Sequence, residues 1–158
     1  MARNPTAAAS RELSMVDALA QLSFLIQATL ERRASKHGLS IIQTRLLGVL
    51  RDRTPTMNEL AKLLELDKSS VTGLVNRAER RGLVRRVPSK TDGRVVQVSL
   101  TDTGRTQVAE VARSFKSDVA TILAGLPSSE RKALIGLVSR VLVAHATAQG
   151  VDLFATTS

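Results

Sequence analysis

The side chains able to do chemistry in this chain of 158 residues are concentrated between Asp67 and Arg94, and the chemistry they suit is hydrogen bonding and charge pairing. Lys68, Ser69, Ser70, Thr72 and Gly73 are short or flexible polar groups in the first turns of a short helix, and Asn76 and Arg77 lie further along it. Such residues let a helix approach the edges of bases closely; Asn suits adenine, and Arg suits guanine or phosphate. A hairpin follows, with Lys90, Asp92, Gly93 and Arg94 at its tip. A helix that can enter a major groove, followed by a cationic loop that can reach the backbone or minor groove beside it, describes a reader of nucleic acid rather than a reaction centre. Simpler readings stand beside this one. A serine-rich first turn is also what helix capping needs, and Lys68 and Arg77 serve phosphate positioning as well as base readout. Arg80, Arg81, Arg85 and Arg86 fit a solvated face or a DNA contact equally.

Reaction chemistry has little to work with. There are two His, no Cys, no Tyr and no Trp. His37 and His145 have neither a metal spacing nor a neighbouring paired acid, and no glycine-rich phosphate loop is present. An enzyme, a bound metal and a cofactor are therefore not expected. The absence of cysteine also removes thiol-based peroxide sensing.

Charge points the same way as the motif. The formal net charge is +9 and the sequence pI about 11.2, which favours a polyanionic partner through counterion release, although a basic chain can instead bind anionic membrane or simply be soluble. Between Asp67 and Arg94, Lys68, Arg77, Arg80, Arg81, Arg85, Arg86, Lys90 and Arg94 face only Asp67, Glu79 and Asp92, so more than half of the excess lies in this segment. No apolar run approaches the roughly 18 residues a membrane span needs, and Met1 to Ser10 lacks the apolar core of a signal peptide. A cytoplasmic protein with no membrane partner is the simplest expectation.

Most of the chain that must position these residues is helical. Met15, Leu19, Leu22, Ile26 and Leu30 predict an amphipathic helix over Leu13 to Lys36, closed by Gly38. Ser40 with Gln43, and Thr56 with Glu59, are capping boxes that open helices reaching Arg53 and Leu64, with Pro55 blocking continuation between them. Leu66 and Val71 flank an Asp67 N-cap for a fourth helix to about Arg81, with Leu74, Val75 and Ala78 inward and Gly82 as its stop. The period then changes to two over Leu83 to Val87 and Val95 to Leu100, where Val96, Val98 and Leu100 alternate against Val95, Gln97 and Ser99. A fifth helix opens after Thr101 and Asp102, and a sixth runs from about Ser128 to Ala148. Apolar stripes on the first, fifth and sixth helices can be the core of one subunit or a helical interface around a two-fold axis.

This order resembles the MarR family of bacterial transcriptional regulators from Leu13 to Ala148. The resemblance is carried by the run Leu66-Asp67-Lys68-Ser69-Ser70-Val71-Thr72-Gly73-Leu74-Val75-Asn76-Arg77-Ala78-Glu79-Arg80-Arg81-Gly82-Leu83-Val84-Arg85-Arg86, then Asp92-Gly93-Arg94, then Leu100-Thr101. It implies a mostly α fold: a winged helix-turn-helix over 54–101, whose wing is the hairpin, with dimerisation helices over 13–53 and 102–148 and loose ends at 1–12 and 149–158. It implies a homodimer on an inverted repeat in double-stranded DNA, repressing by default, with readers about 34 Å apart. It also implies that Arg94 enters the minor groove with Asp92 holding its guanidinium in a bidentate pair. Gly93 stands where the family often has a polar residue, which removes a phosphate contact. Members are commonly released by a small aromatic or phenolic effector bound between dimerisation helices and reader; His37, Gln43 and Arg45 lie near that junction, although capping and exposure explain them as well. The competing class is a winged helix used to bind protein or RNA.

Overall fold

The computed structural model describes residues 13–89 and 92–150, so Lys90 and most of the expected end segments lie outside the described residues. Local capping sets the helix starts. The Ser14 hydroxyl accepts from the Asp17 N–H ahead of α1, Met15–Ser35. Both expected capping boxes form, Ser40 with Gln43 ahead of α2, Ile41–Asp52, and Thr56 with Glu59 ahead of α3, Met57–Leu64. Each satisfies two backbone donors that the first helical turn leaves unpaired. Asp67 caps α4, Lys68–Arg80. The turn between α3 and α4 rests on Glu65, a left-handed residue with φ 55° that the sequence did not flag. Its N–H and that of Leu66 return to the Lys62 and Ala61 carbonyls at 3.2 and 3.0 Å. Gly82, with φ +67°, turns the chain out of α4 into the hairpin, the left-handed position where glycine carries no side-chain penalty.

The hairpin pairs β1, Val84–Pro88, with β2, Val96–Leu100, antiparallel, in a register that sets Arg86 opposite Val98 and Val84 opposite Leu100. The expected alternation is not kept: Val98 and Leu100 are buried at the base, but Val96 is 46% exposed because it sits where the hairpin has left the core. Ser99, expected on the outer face, is also nearly buried. The link between α2 and α3 adds a third short rung, for Pro55 O accepts from Val98 N–H at 2.9 Å and Thr56 bridges to Gln97. Pro55 thus contributes its carbonyl to a sheet edge, the one backbone group a proline can offer there.

One core lies under α4 and the hairpin. Leu46, Leu47 and Leu50 of α2, Leu60 and Leu64 of α3, and Val71, Leu74, Val75 and Ala78 of α4 meet Leu83, Val84, Val98 and Leu100 of the hairpin. Val108 and Val111 close it from α5, Asp102–Ile122, so the first half of that apolar stripe belongs to the subunit's own core. α6, Ser128–Ala148, behaves differently: Ile135, Leu137, Val138, Val141 and Leu142 are 41 to 68% exposed. Met15, Val16, Leu19, Phe24 and Leu25 of α1 are exposed as well. Among the described residues no helix is long and apolar enough to cross a membrane.

α5 is joined to the hairpin by a tight backbone crossing. Thr101 Oγ1 donates to Gly82 O at 2.6 Å and accepts from Gly104 N–H at 3.1 Å. Gly104 is buried there, and a β-carbon on it would stand 2.0 Å from Leu83 O. The nearest atoms are backbone, which cannot swing aside as the end of a flexible side chain can. Gly104→Ala is expected to lose about 2 kcal/mol or more of stability, read as a lowered urea midpoint at constant slope; an unchanged midpoint would show that the crossing can open at no cost.

Candidate nucleic-acid interface

The start of α4 is organised around one carboxylate. Asp67 accepts from the Ser70 N–H at 2.8 Å, the Ser69 hydroxyl at 2.5 Å and the Ser70 hydroxyl at 2.6 Å. Those three donors, the Ser69 hydroxyl foremost, hold its carboxyl well below the usual Asp range. Both serine protons are therefore spent on the cap, and each hydroxyl keeps only its acceptor lone pairs for anything outside. The Thr72 hydroxyl likewise donates to Lys68 O at 2.8 Å.

Beyond the cap, α4 divides into two faces. Val71, Leu74, Val75 and Ala78 are at most 1% exposed, whereas Lys68, Ser69, Thr72, Asn76, Arg77 and Arg80 are exposed. The outer face has two flanks. Ser69, Ser70, Gly73 and Arg77 border a groove of about 340 Å³ shared with Ile42 and Leu66. Gly73 gives the Arg77 side chain room, since a β-carbon there would meet Arg77 Nη1 at 3.2 Å. Asn76 lies on the opposite flank, toward the hairpin, where Arg86 Nη2 donates to its Oδ1 at 2.7 Å.

Arg86 is held by more than Asn76. Its Nη1 pairs with Glu79 Oε2, and its backbone N–H reaches Glu79 Oε1 at 3.3 Å. Arg81 turns the other way: Nη1 donates to Gly38 O at 2.8 Å and to Gln43 Oε1 at 3.3 Å, and Nη2 to His37 O at 3.3 Å. Arg85 Nε lies 3.4 Å from Ser99 Oγ. Of the four arginines left open between solvent and DNA, then, Arg81, Arg85 and Arg86 are engaged with protein and Arg80 is exposed. Glu79, which composition counts as one acid among many bases, joins the helix to the hairpin. Its spacing to Arg86 crosses a turn, so no helical period could have shown the pair.

At the hairpin tip the expected bidentate pair between Asp92 and Arg94 is not formed. Asp92 Oδ1 instead accepts from the Arg94 backbone N–H at 3.0 Å, and the Asp92 carbonyl from Val95 N–H at 2.9 Å. A short side chain two residues before a free N–H closes an Asx turn locally, which leaves the exposed Arg94 guanidinium clear of it. Gly93 is exposed and outside the left-handed region, so this turn does not require glycine. Lys90 lies outside the described residues.

The residues expected near an anion are mostly occupied. Gln43 Oε1 accepts from Ser40 N–H at 3.0 Å as well as from Arg81, His37 Nδ1 lies 3.6 Å from Glu110 Oε2, and Arg45 is exposed. A cleft of about 560 Å³ with no signature in the sequence lies between α3 and α6, lined by Lys62, Leu63, Glu65, Leu142, His145, Ala146 and Gln149.

A helix-turn-helix with its polar face outward, followed directly by an antiparallel hairpin, is a winged helix-turn-helix. The family model described as MarR family matches residues 37–95. The chain is 29% identical over 136 residues to the HTH-type transcriptional regulator PecS of Dickeya dadantii, covering 82% of each. It is 30% identical over 106 residues to the HTH-type transcriptional repressor MdtR of Bacillus subtilis, covering 66% of this chain and 68% of that one. Its fold matches the MepR–DNA complex from S. aureus with a TM-score of 0.68 over 84% of this chain and 99% of that one, at 20% identity. The chain belongs to the MarR family of transcriptional regulators.

Because the Asp67 carboxyl titrates lower in the folded chain than its usual value, its contribution to stability is full above the ordinary Asp range, about 3.9, and declines as pH falls below it. Asp67→Ala should lower the urea midpoint at pH 7, and its gap from the natural chain should narrow as pH is taken from 5 toward 2. A gap of constant size across that range would show that the charged cap contributes nothing.

Proposed function

We propose that the chain is a sequence-specific regulator that binds double-stranded DNA as a homodimer, with α4 in the major groove and the hairpin tip at the adjacent minor groove. The observation that carries this is the two-faced α4: four apolar side chains at most 1% exposed on one side and an outward row of Lys68, Ser69, Thr72, Asn76 and Arg77 on the other. The contact set comprises these residues with Ser70 and Gly73 on the helix, and Lys90, Asp92, Gly93 and Arg94 on the wing. Residues 54–101 form the reader, and 13–53 with 102–148 the dimerisation region. The MepR structure was solved with DNA, which supports the groove assignment.

The exposed apolar side chains of α1 and α6 support pairing with a second copy, since a soluble chain seldom leaves so many large apolar groups uncovered. The role assigned is repression, in line with the repressor MdtR, relieved by a small aromatic or phenolic effector. The cleft between α3 and α6 supports an effector seat between reader and dimerisation helices.

Specific duplex should be retained roughly 10³-fold more tightly than scrambled duplex, with affinity falling steeply as salt rises. Equal retention of duplex and RNA in a salt-titrated gel shift contradicts the reading. Arg94→Ala should weaken operator binding about ten-fold or more with the melting temperature unchanged; undiminished affinity at physiological salt removes Arg94 from the contact set. Val141→Asp, at a position 68% exposed in the single chain, should leave the protomer folded but shift sedimentation from dimer to monomer. A natural chain that sediments as a monomer at micromolar concentration overturns the paired assembly.

A further inference from the structure

Asn76 is the one side chain on the outer face of α4 whose hydrogen-bonding sense is decided by another element. A free asparagine offers an acceptor and two donors, and bidentate recognition of adenine uses one of each: the carbonyl accepts from N6 and the amide donates to N7. Here Arg86 Nη2 donates to Asn76 at 2.7 Å. A guanidinium has donors only, so the amide atom facing it is the carbonyl oxygen. Glu79 fixes Arg86 through the ion pair and through the Arg86 backbone N–H. Among the described residues the Asn76 amide nitrogen makes no hydrogen bond. Asn76 is exposed, which leaves that nitrogen available to a partner outside.

Resting on the DNA-reading function proposed above, we infer that Arg86 is a positioning residue that holds the Asn76 carbonyl toward itself and leaves the amide N–H groups to read the base, selecting guanine rather than adenine at the base it meets. Guanine shows two acceptors, N7 and O6, on its major-groove edge, so a side chain whose N–H groups are turned toward the base matches it. Adenine shows one acceptor and one donor, and its N6 group then faces an oxygen already committed to a charge-assisted bond. Turning the amide over to meet adenine would set the Asn76 nitrogen against Arg86, donor against donor. Arg86 itself need not touch DNA for this effect. Its role is to remove one of two orientations that an unconstrained asparagine would sample.

The test is selection of bound duplexes from a randomised library by the natural chain and three variants. Asn76→Ala, an exposed change that leaves the Glu79–Arg86 pair intact, identifies the position that depends on Asn76 as the one whose preference it abolishes. At that position the natural chain should enrich guanine over adenine about ten-fold. Arg86→Met frees the carbonyl, and the same position, and no other, should move toward adenine. Should Arg86→Met fail to fold, Asn76→Asp serves: its carboxylate pairs with Arg86 and presents only acceptors, so guanine should give way to cytosine, whose N4 is a donor. Adenine at the Asn76-dependent position of the natural chain, or no position altered by Asn76→Ala, overturns the inference while leaving DNA binding in place. Enrichment of no duplex by the natural chain removes the DNA-reading function and this inference with it.

Discussion

Burial of the inner face of α4 is the constraint on which the rest of the reader depends. Val71, Leu74, Val75 and Ala78 recur at spacings of three, one and three, which gathers them on one side of a helix, and all are at most 1% exposed against α2, α3 and the hairpin. Full burial of a Val or Leu side chain contributes on the order of 1.5–3 kcal/mol. A partly exposed ion pair such as Glu79–Arg86 contributes about 0–1 kcal/mol. Packing therefore decides which way α4 is rotated, and with it which residues face outward. The polar contacts decide only what those outward residues present once the rotation is set.

That division of labour recurs along the outer face. Thr72 satisfies itself on the Lys68 carbonyl, Ser69 and Ser70 donate to Asp67, and Asn76 accepts from Arg86. Each polar group short enough to lie close to the helix has one half of its hydrogen-bonding capacity used internally. The groups that reach further, Lys68, Arg77 and Arg80, remain exposed. A surface of this kind combines fixed short groups with long exposed cations, suited respectively to discriminating partners and to attracting any polyanion.

What the sequence made legible was local. The capping boxes at Ser40–Gln43 and Thr56–Glu59, the Asp67 cap and the stop at Gly82 each join residues within four positions, where side chain and backbone can meet whatever the rest of the chain does. The hairpin was legible from the change of period, although its pairing shows Val96 exposed and Ser99 nearly buried, because burial along a strand depends on where the core ends. Contacts across the fold left no local trace. Pro55 reads as a helix breaker, yet its carbonyl meets Val98; Arg81 reads as one base in a run, yet it closes on Gly38. Gly104 follows a cap and looks like an ordinary first-turn residue, and only the approach of Leu83 O shows why no β-carbon fits. At the tip, a pair expected between two side chains gave way to a backbone turn, since Asp92 finds the Arg94 N–H two residues away before it can reach a long, solvated guanidinium.

The same long-range contacts bind reader and flanking helices into one mechanical unit. Arg33 grips Asp118 through Nε at 2.6 Å and again through Nη2, fastening α1 to α5. One turn further on, His37 lies 3.6 Å from Glu110, again on α5, and the carbonyls of His37 and Gly38 receive Arg81 from the end of α4. The corner between α1 and α2 therefore touches α5 and the end of α4 at once. Arg81 meets it with three separate bonds to two carbonyls and an amide oxygen, so sliding of that corner along α5 has to be absorbed at the C-terminus of α4 or break those bonds. The Asn76–Arg86–Glu79 link extends the same continuity into the hairpin. Helix and wing are thus positioned by one set of contacts, and the corner between α1 and α2 that sets their pose is itself fastened to α5.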